Sequence, residues 1–257
     1  MYLRSSRLIT TEWTVTPSYQ QGDTGDAFSS LEKVFSLPGE LITTDPISAV
    51  YKVRVGDKYY FVKRYTAGGK GIRRYLGPSR VKMEWQNLLF FQKLGLPTAP
   101  IVAYGESRFL GKTLCGALIT EELVGTDDLA SLAQAEASCL KDHNWVTAVS
   151  NQVADATRAL HRERFAHNDL KWRNVLVTTG PNPQIYLIDC PAGTRWFGPM
   201  LSYRKIKDLA CLDKVAKYQL TPKQRLAFYK RYRQCGKLSI ADKYQIRKIL
   251  QFFAGRE

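Results

Sequence analysis

Residues 165–177 read FAHNDLKWRNVLV, and residues 184–190 read QIYLIDC. The first stretch spaces His167, Asp169 and Asn174 as H-x-D followed by an Asn five residues after the Asp, and then runs into the apolar Val175, Leu176 and Val177. The second is a short apolar strand that ends on Asp189, fifteen residues after Asn174. Phosphoryl transfer from a nucleotide asks for this kind of set: a carboxylate to accept the proton of an attacking hydroxyl, and oxygen ligands for the hard cation that accompanies a polyphosphate. Asp169, on a loop after a helical pattern, can supply the carboxylate. Asn174 and Asp189, brought together by a hairpin, can supply the oxygens. His167 is expected to brace the loop through hydrogen bonds in preference to taking part in the chemistry.

Working upstream, residues 49–65 (AVYKVRVGDKYYFVKRY) carry β-branched and aromatic residues at period two on both sides of Gly56-Asp57, which predicts a β-hairpin with Lys63 on its second strand. Residues 66–78 (TAGGKGIRRYLGP) form a glycine-rich basic loop. Gly68, Gly69 and Gly71 follow the lysine strand, so they lack the order of a phosphate-binding loop. Lys70, Arg73, Arg74 and Arg80 are solvated charges or contacts for an anionic acceptor. Residues 79–94 have helical spacing, with Ser79 as the cap, Gly95 as the stop and Glu84 inside, twenty-one residues after Lys63. A lysine on a strand and a glutamate on the next helix can form the pair that positions nucleotide phosphates.

Residues 96–104 and 113–122 read as further strands. Beyond Gly125 the pattern is helical, clearest over 145–161, and in the last stretch Ile246, Ile249, Leu250 and Phe253 make a core-facing stripe. The expected organisation is α+β: an irregular N-terminal arm over residues 1–30, a β-rich lobe with one main helix over 31–123, and a helical lobe over 124–257.

Charge bears on the partner. The 257 residues carry 38 Lys+Arg against 23 Asp+Glu, a net charge of +15. Residues 52–84 hold ten basic and two acidic residues, residues 204–248 hold fourteen and three, and the remainder is slightly acidic. An anionic partner is favoured: nucleic acid, an anionic membrane surface or a phosphorylated glycan. No nucleic-acid motif accompanies the basic segments, so nucleic acid is not expected. The 44% hydrophobic and 12% aromatic content excludes a disordered or fibrous chain. Five cysteines without C-x-x-C spacing argue for reduced thiols in a cytoplasmic compartment, against a disulfide framework or zinc ribbon. Neither a signal peptide nor a stretch of ~18 apolar residues is present, so secretion by a leader and a membrane span are not expected.

These stretches resemble the protein-kinase-like superfamily and, within it, the bacterial lipopolysaccharide core kinases that phosphorylate Kdo or heptose. The resemblance runs from about Tyr51 to Ala216 through VKRY, MEWQNLLFFQKLGLPTAPIVAYGE, ALITEEL, HNDLKWRNVLV and LIDC. It implies a two-lobed kinase-like fold, ATP and Mg²⁺ as cofactors, and phosphorylation of a sugar hydroxyl of the lipopolysaccharide inner core or its lipid-linked precursor. It further implies peripheral contact with the cytoplasmic face of the inner membrane. By the same resemblance Lys63 binds phosphates and Glu84 pairs with it, Asp169 is the catalytic base, and Asn174 and Asp189 hold Mg²⁺. Glu121, Glu122, Leu123 and Val124 form the hinge beside the adenine through backbone groups, and Asp208 braces the catalytic loop.

Departures narrow the acceptor. Asn168 stands in place of the arginine that reads a phosphorylated activation loop, and Cys190-Pro191 in place of Phe-Gly, with no A-P-E beyond. Loop phosphorylation and a protein substrate are therefore not expected. The nucleotide-covering loop, residues 43–49 (TTDPISA), has no glycine, and Phe61 occupies a position where kinases keep a small residue. The alternatives are a kinase-like enzyme acting on another small molecule or a protein, and a noncatalytic pseudokinase module at the membrane.

Overall fold

The structure is a computed structural model and describes residues 8–67 and 77–255. The chain divides into two compact units, one of residues 1–86 and 99–123, the other of residues 87–98 and 124–257. The glycine-rich stretch with Gly68, Gly69, Lys70, Gly71, Arg73 and Arg74 lies outside the described residues.

The first unit is built on six antiparallel strands: β1 (Ile9–Val15), β2 (Glu40–Asp45), β3 (Ser48–Val55), β4 (Lys58–Tyr65), β5 (Ile101–Phe109) and β6 (Lys112–Glu121), in the order β1-β5-β6-β4-β3-β2. Gly56 turns the β3–β4 hairpin at φ +60°, a conformation glycine adopts without a steric penalty. Two short helices, α1 (Gly22–Ala27) and α2 (Leu31–Ser36), cover one face of the sheet. Phe28, Leu31 and Val34 there meet Val53, Tyr60, Val62, Val102, Ala117 and Ile119 in one buried cluster. Helix α3 (Arg80–Lys93) starts in this unit: Ser79 Oγ accepts from the Lys82 N–H at 3.0 Å and so caps its first turn.

Over residues 8–30, its described part, the expected irregular arm of residues 1–30 is corrected by the structure. β1 pairs along its whole length with β5, Trp13 Nε1 donates to the Phe28 carbonyl at 2.9 Å, and Phe28 is wholly buried. Gly105 makes the approach possible, because a Cβ there would come within 2.0 Å of the Glu12 carbonyl oxygen. β1 is an edge strand exposed over most of its length, so it needs no alternating apolar face and carries no period to read. The expected boundary of 31–123 also changes, since residues 87–98 group with the helical unit. The Pro97 carbonyl accepts from the Leu187 N–H at 2.9 Å, which ties this stretch to the helical unit, and the strand expected over 96–104 begins only at Ile101.

The second unit contains α4 (Leu129–Gln134), α5 (His143–Arg162), α6 (Gly198–Gln219), α7 (Pro222–Arg233) and α8 (Ile240–Gln251). Asp142 caps α5, and capping boxes start α7 (Thr221 with Gln224) and α8 (Ser239 with Asp242). Two small sheets accompany the helices: β7 (Thr126–Asp128), β9 (Val175–Thr178) and β10 (Ile185–Leu187) in the order β10-β9-β7, and the pair β8 (Phe165–Ala166) with β11 (Thr194–Arg195). Ala154, Leu209, Ala210, Tyr229, Tyr232 and Ile249 form its buried cluster, with Ile246 and Phe253 packed against it. Leu250, expected in that stripe, is 56% exposed instead, because α8 turns only part of its apolar arc inward.

Candidate active site

In the first unit, β4 lies between β3 and β6, with Lys63 opposite Val50 and Leu118. Lys63 Nζ donates to Glu84 Oε1 at 2.9 Å, and the hydroxyl of Tyr65 donates to Glu84 Oε2. Glu84, on the first turns of α3, is 3% exposed. A buried pair of this kind holds one geometry, because separating either charge from its partner leaves the other without compensation. The hinge candidates are occupied differently from the expectation. Glu121 accepts from Lys58 Nζ and the Tyr19 hydroxyl, each at 2.7 Å, and Glu122 from Lys52 Nζ at 2.7 Å. Burial pushes the Glu121 carboxyl up, but Lys58 and Tyr19 outweigh it and hold the group below its ordinary range. Burial, followed by the bond to Glu121, raises the Tyr19 phenol. The Glu121 and Glu122 N–H groups donate to the carbonyls of Pro100 and Tyr59, so neither is available to a base. Val124 is 87% exposed.

The loop expected to cover a nucleotide is the β2–β3 turn. Asp45 Oδ1 accepts from the N–H groups of Ile47 (2.8 Å) and Ser48 (3.0 Å), and Oδ2 from the Ser48 hydroxyl. An aspartate side chain closes the turn that glycine would otherwise leave open.

In the second unit the catalytic candidates sit on one short loop between β8 and β9. Its one-turn 3₁₀ segment, Trp172–Asn174, is anchored by Trp172 Nε1 donating to the Leu212 carbonyl at 2.9 Å. With Trp172 and Asn174 buried, Lys171 and Arg173, the residues before each of them, reach Asp169: Lys171 Nζ lies 2.6 Å from Oδ1, and an Arg173 nitrogen 3.6 Å from Oδ2. Asn174 Nδ2 donates to the Asp169 carbonyl at 2.8 Å.

The loop is held from beneath by Asp208 on α6, wholly buried. It accepts the N–H of His167 at 2.7 Å and of Asn168 at 2.8 Å. His161 at the end of α5 continues the chain of contacts, with Nε2 3.2 Å from Asp208 Oδ2 and Nδ1 2.8 Å from the Tyr232 hydroxyl on α7. Contrary to the expectation, the His167 ring does not brace the loop through hydrogen bonds among the described residues. Both ring nitrogens are buried without a hydrogen-bond partner among the described residues, and the ring packs on Phe91 at 6.0 Å between centroids. Burial holds this imidazole below its ordinary pKa, against the opposing pull of Asp208, Asp169 and Asp189.

Asn174 and Asp189 lie at the ends of neighbouring strands. β9 and β10 pair Val175 with Leu187, and the Ile188 N–H donates to the Asn174 carbonyl at 3.1 Å. Among the described residues no group of three or more His, Cys, Asp or Glu could cage an ion. One carboxylate and one amide oxygen instead suit Mg²⁺, which keeps most of its shell as water and substrate phosphate oxygens. The Asn174 amide spends its nitrogen on Asp169, which leaves its oxygen for a metal.

Asn168 (φ +66°) and Asp189 (φ +54°) both adopt the left-handed region that side chains rarely occupy. Each is fixed by its surroundings. Asn168 Nδ2 donates to the Ala192 carbonyl at 2.8 Å, and Asn87 Nδ2 donates to the carbonyls of Cys190 (2.7 Å) and Gly193 (2.9 Å). The segment after Asp189 is thus pinned by neutral amides, and Cys190 is a wholly buried small side chain. A separate cavity of about 240 Å³ lies among α5, α6, α7 and α8, lined by apolar side chains such as Trp145, Val149, Leu212 and Ile249 and offering no set of groups for phosphoryl chemistry.

Sequence reasoning missed Tyr65, Lys171, Arg173, His161, Tyr232 and Asn87. The first three were visible in part, as a period-two neighbour of Lys63 and as cations inside the Asp169–Asn174 spacing. The others are set by contacts across 71 residues (His161–Tyr232) or 103 (Asn87–Cys190), which no local pattern reports.

No curated protein matches the chain. A solved structure described as WaaP in complex with acyl carrier protein is similar to it at 25% identity and a TM-score of 0.66, covering 95% of this chain and 94% of that one. The fold is kinase-like. The family model described as lipopolysaccharide kinase (Kdo/WaaP) matches residues 44–232, which include Lys63, Glu84, Asp169, Asn174, Asp189 and Asp208, and the chain belongs to that family.

Proposed function

We propose that this kinase transfers the γ-phosphoryl group of ATP, with Mg²⁺, to a sugar hydroxyl of the lipopolysaccharide inner core, on heptose or Kdo. The observation that carries the reading is the loop of Asp169, an accessible carboxylate held by Asp208 from beneath and set beside the two oxygen ligands Asn174 and Asp189. Asp169 accepts the proton of the acceptor hydroxyl as its oxygen bonds to phosphorus and the bond to the bridging oxygen of ADP breaks. Lys171 orients the carboxylate, and Arg173 adds a second positive charge on the exposed side, which suits an acidic acceptor. Lys63, fixed by Glu84 and Tyr65, positions nucleotide phosphates. Bound Mg²⁺ supplies neutralisation of the charge that builds on the phosphate oxygens. The backbone from Leu123 onward meets the adenine.

The acceptor, a core glycan or its lipid-linked precursor, puts the enzyme at the cytoplasmic face of the bacterial inner membrane. The test is mass spectrometry of core oligosaccharide from cells with and without the gene. Loss of the mass of one phosphate from the inner core is the expected result; identical cores overturn the acceptor assignment.

A further inference from the structure

The start of α6 carries an apolar surface that none of these roles uses. Phe197, the extended N-cap residue of α6, is 65% exposed, and Met200 and Tyr203, 46% and 44% exposed, follow it one turn apart on the helix. Single exposed apolar residues are ordinary, whereas a contiguous row marks a contact surface. Arginines edge it. Arg164 lies over the Phe197 ring at 5.7 Å, and Arg204 over the rings of Trp196 at 4.5 Å and Tyr203 at 5.7 Å. The β8–β11 ladder sets Arg195 opposite Phe165, and the Trp196 N–H donates to the Arg164 carbonyl at 2.9 Å, which draws these residues to one edge. Residues 194–207 hold four basic side chains and no acidic one, and the nearest carboxylate along the paired strand is the exposed Glu163.

We propose that this face docks on an anionic membrane surface, with Phe197, Met200 and Tyr203 entering the headgroup region and Arg164, Arg195 and Arg204 meeting lipid phosphates. Two arguments favour lipid over a protein partner. Three side chains and their rim fall well short of the ~800 Å² per partner that a stable protein interface buries. Arginine stacked on aromatic rings, with an apolar body and a polar edge, also matches the boundary between acyl chains and headgroups. Arg164 and β8 lead directly into His167 and Asp169, so the docked face adjoins the loop that receives the acceptor. The inference rests on the proposed function only for the acceptor's lipid anchor.

Sedimentation of the full chain with vesicles tests it, without nucleotide or acceptor. Binding is expected to phosphatidylglycerol–phosphatidylethanolamine vesicles and to be about tenfold weaker or more to phosphatidylcholine. Combined Phe197→Ser, Met200→Ser and Tyr203→Ser should weaken it about tenfold or more. Phe197→Ser alone, at the most exposed position, should weaken it about threefold and serves if the triple variant fails to fold. Arg164→Gln with Arg195→Gln should flatten the salt dependence, and Ile240→Ser, at an apolar residue 88% exposed on α8, should bind as the parent does. Equal binding by the parent and the Phe197 variant, equal affinity for both vesicle types, or the same loss in Ile240→Ser overturns the proposal. Capture of purified acyl carrier protein in place of vesicles does so too. The assay contains no ATP, so its failure leaves phosphotransfer untouched, and a failure of phosphotransfer leaves it readable.

Discussion

The Lys63–Glu84 pair and the Asp169 cluster are built from the same charges at similar distances, 2.9 Å in one and 2.6 and 3.6 Å in the other, yet they differ in access to water. The side chains of Lys63 and Glu84 are 16% and 3% exposed; those of Asp169, Lys171 and Arg173 are 30%, 45% and 62% exposed. A closed pair cannot exchange partners without losing its compensation, so it fixes position. An open cluster exchanges partners at little cost, as a group that takes a proton from an incoming hydroxyl must. Breaking the first should therefore cost stability as well as activity, and breaking the second should cost activity alone.

That contrast breaks most visibly at Asp169. Asp169→Asn should lower transfer about a thousandfold while leaving the thermal midpoint in place; a drop in the midpoint would make the open cluster structural. Glu84→Ala should cost about 3–5 kcal/mol in denaturant unfolding, since it strands Lys63 and removes the acceptor of Tyr65. Tyr232→Phe leaves His161 Nδ1 unpaired in the core and should cost about 1 kcal/mol, with kcat reduced severalfold and KM for ATP unchanged. At the small end, Lys82→Gln, which opens the surface pair with Glu12, should change stability by less than about 1 kcal/mol.

The pH dependence sharpens the same point. His167 has a folded pKa below its unfolded value of about 6.5, so the unfolded chain binds more protons there and stability falls as the pH drops below that value. Glu121 and Asp45 are depressed acids, whose contribution is complete above their unfolded values of about 4 and is lost only as the pH falls through the folded ones. Acid unfolding should proceed in these two windows, and His167→Phe should remove the upper one.

How much was legible depended on how local the cause was. The His167–Asp169–Asn174 spacing is a single loop and a 3₁₀ turn, and Asp189 lies two residues beyond a strand whose partner begins just after Asn174, so short-range sequence carries that half. The lysine strand and glutamate helix followed from period two and from the Ser79 cap. β1 was unreadable because an edge strand exposed over most of its length has no apolar alternation, and its place is decided by main-chain pairing with β5 and by the absence of a side chain at Gly105. The ring role of His167 was unreadable for a different reason: the residue type suggests hydrogen bonding, whereas packing against Phe91 and complete burial decide its state. Asp208 was visible only through resemblance, and its link through His161 to Tyr232 not at all.

The most direct test of the central claim is transfer of labelled phosphate from ATP to deacylated Kdo-heptose core oligosaccharide, with Mg²⁺ and again after chelation. The account predicts transfer that requires the metal, returns when it is restored, and is lost in Asp189→Asn even though that variant folds. Transfer that persists without a divalent cation, or a folded, metal-replete protein that transfers nothing to the saccharide, would contradict it.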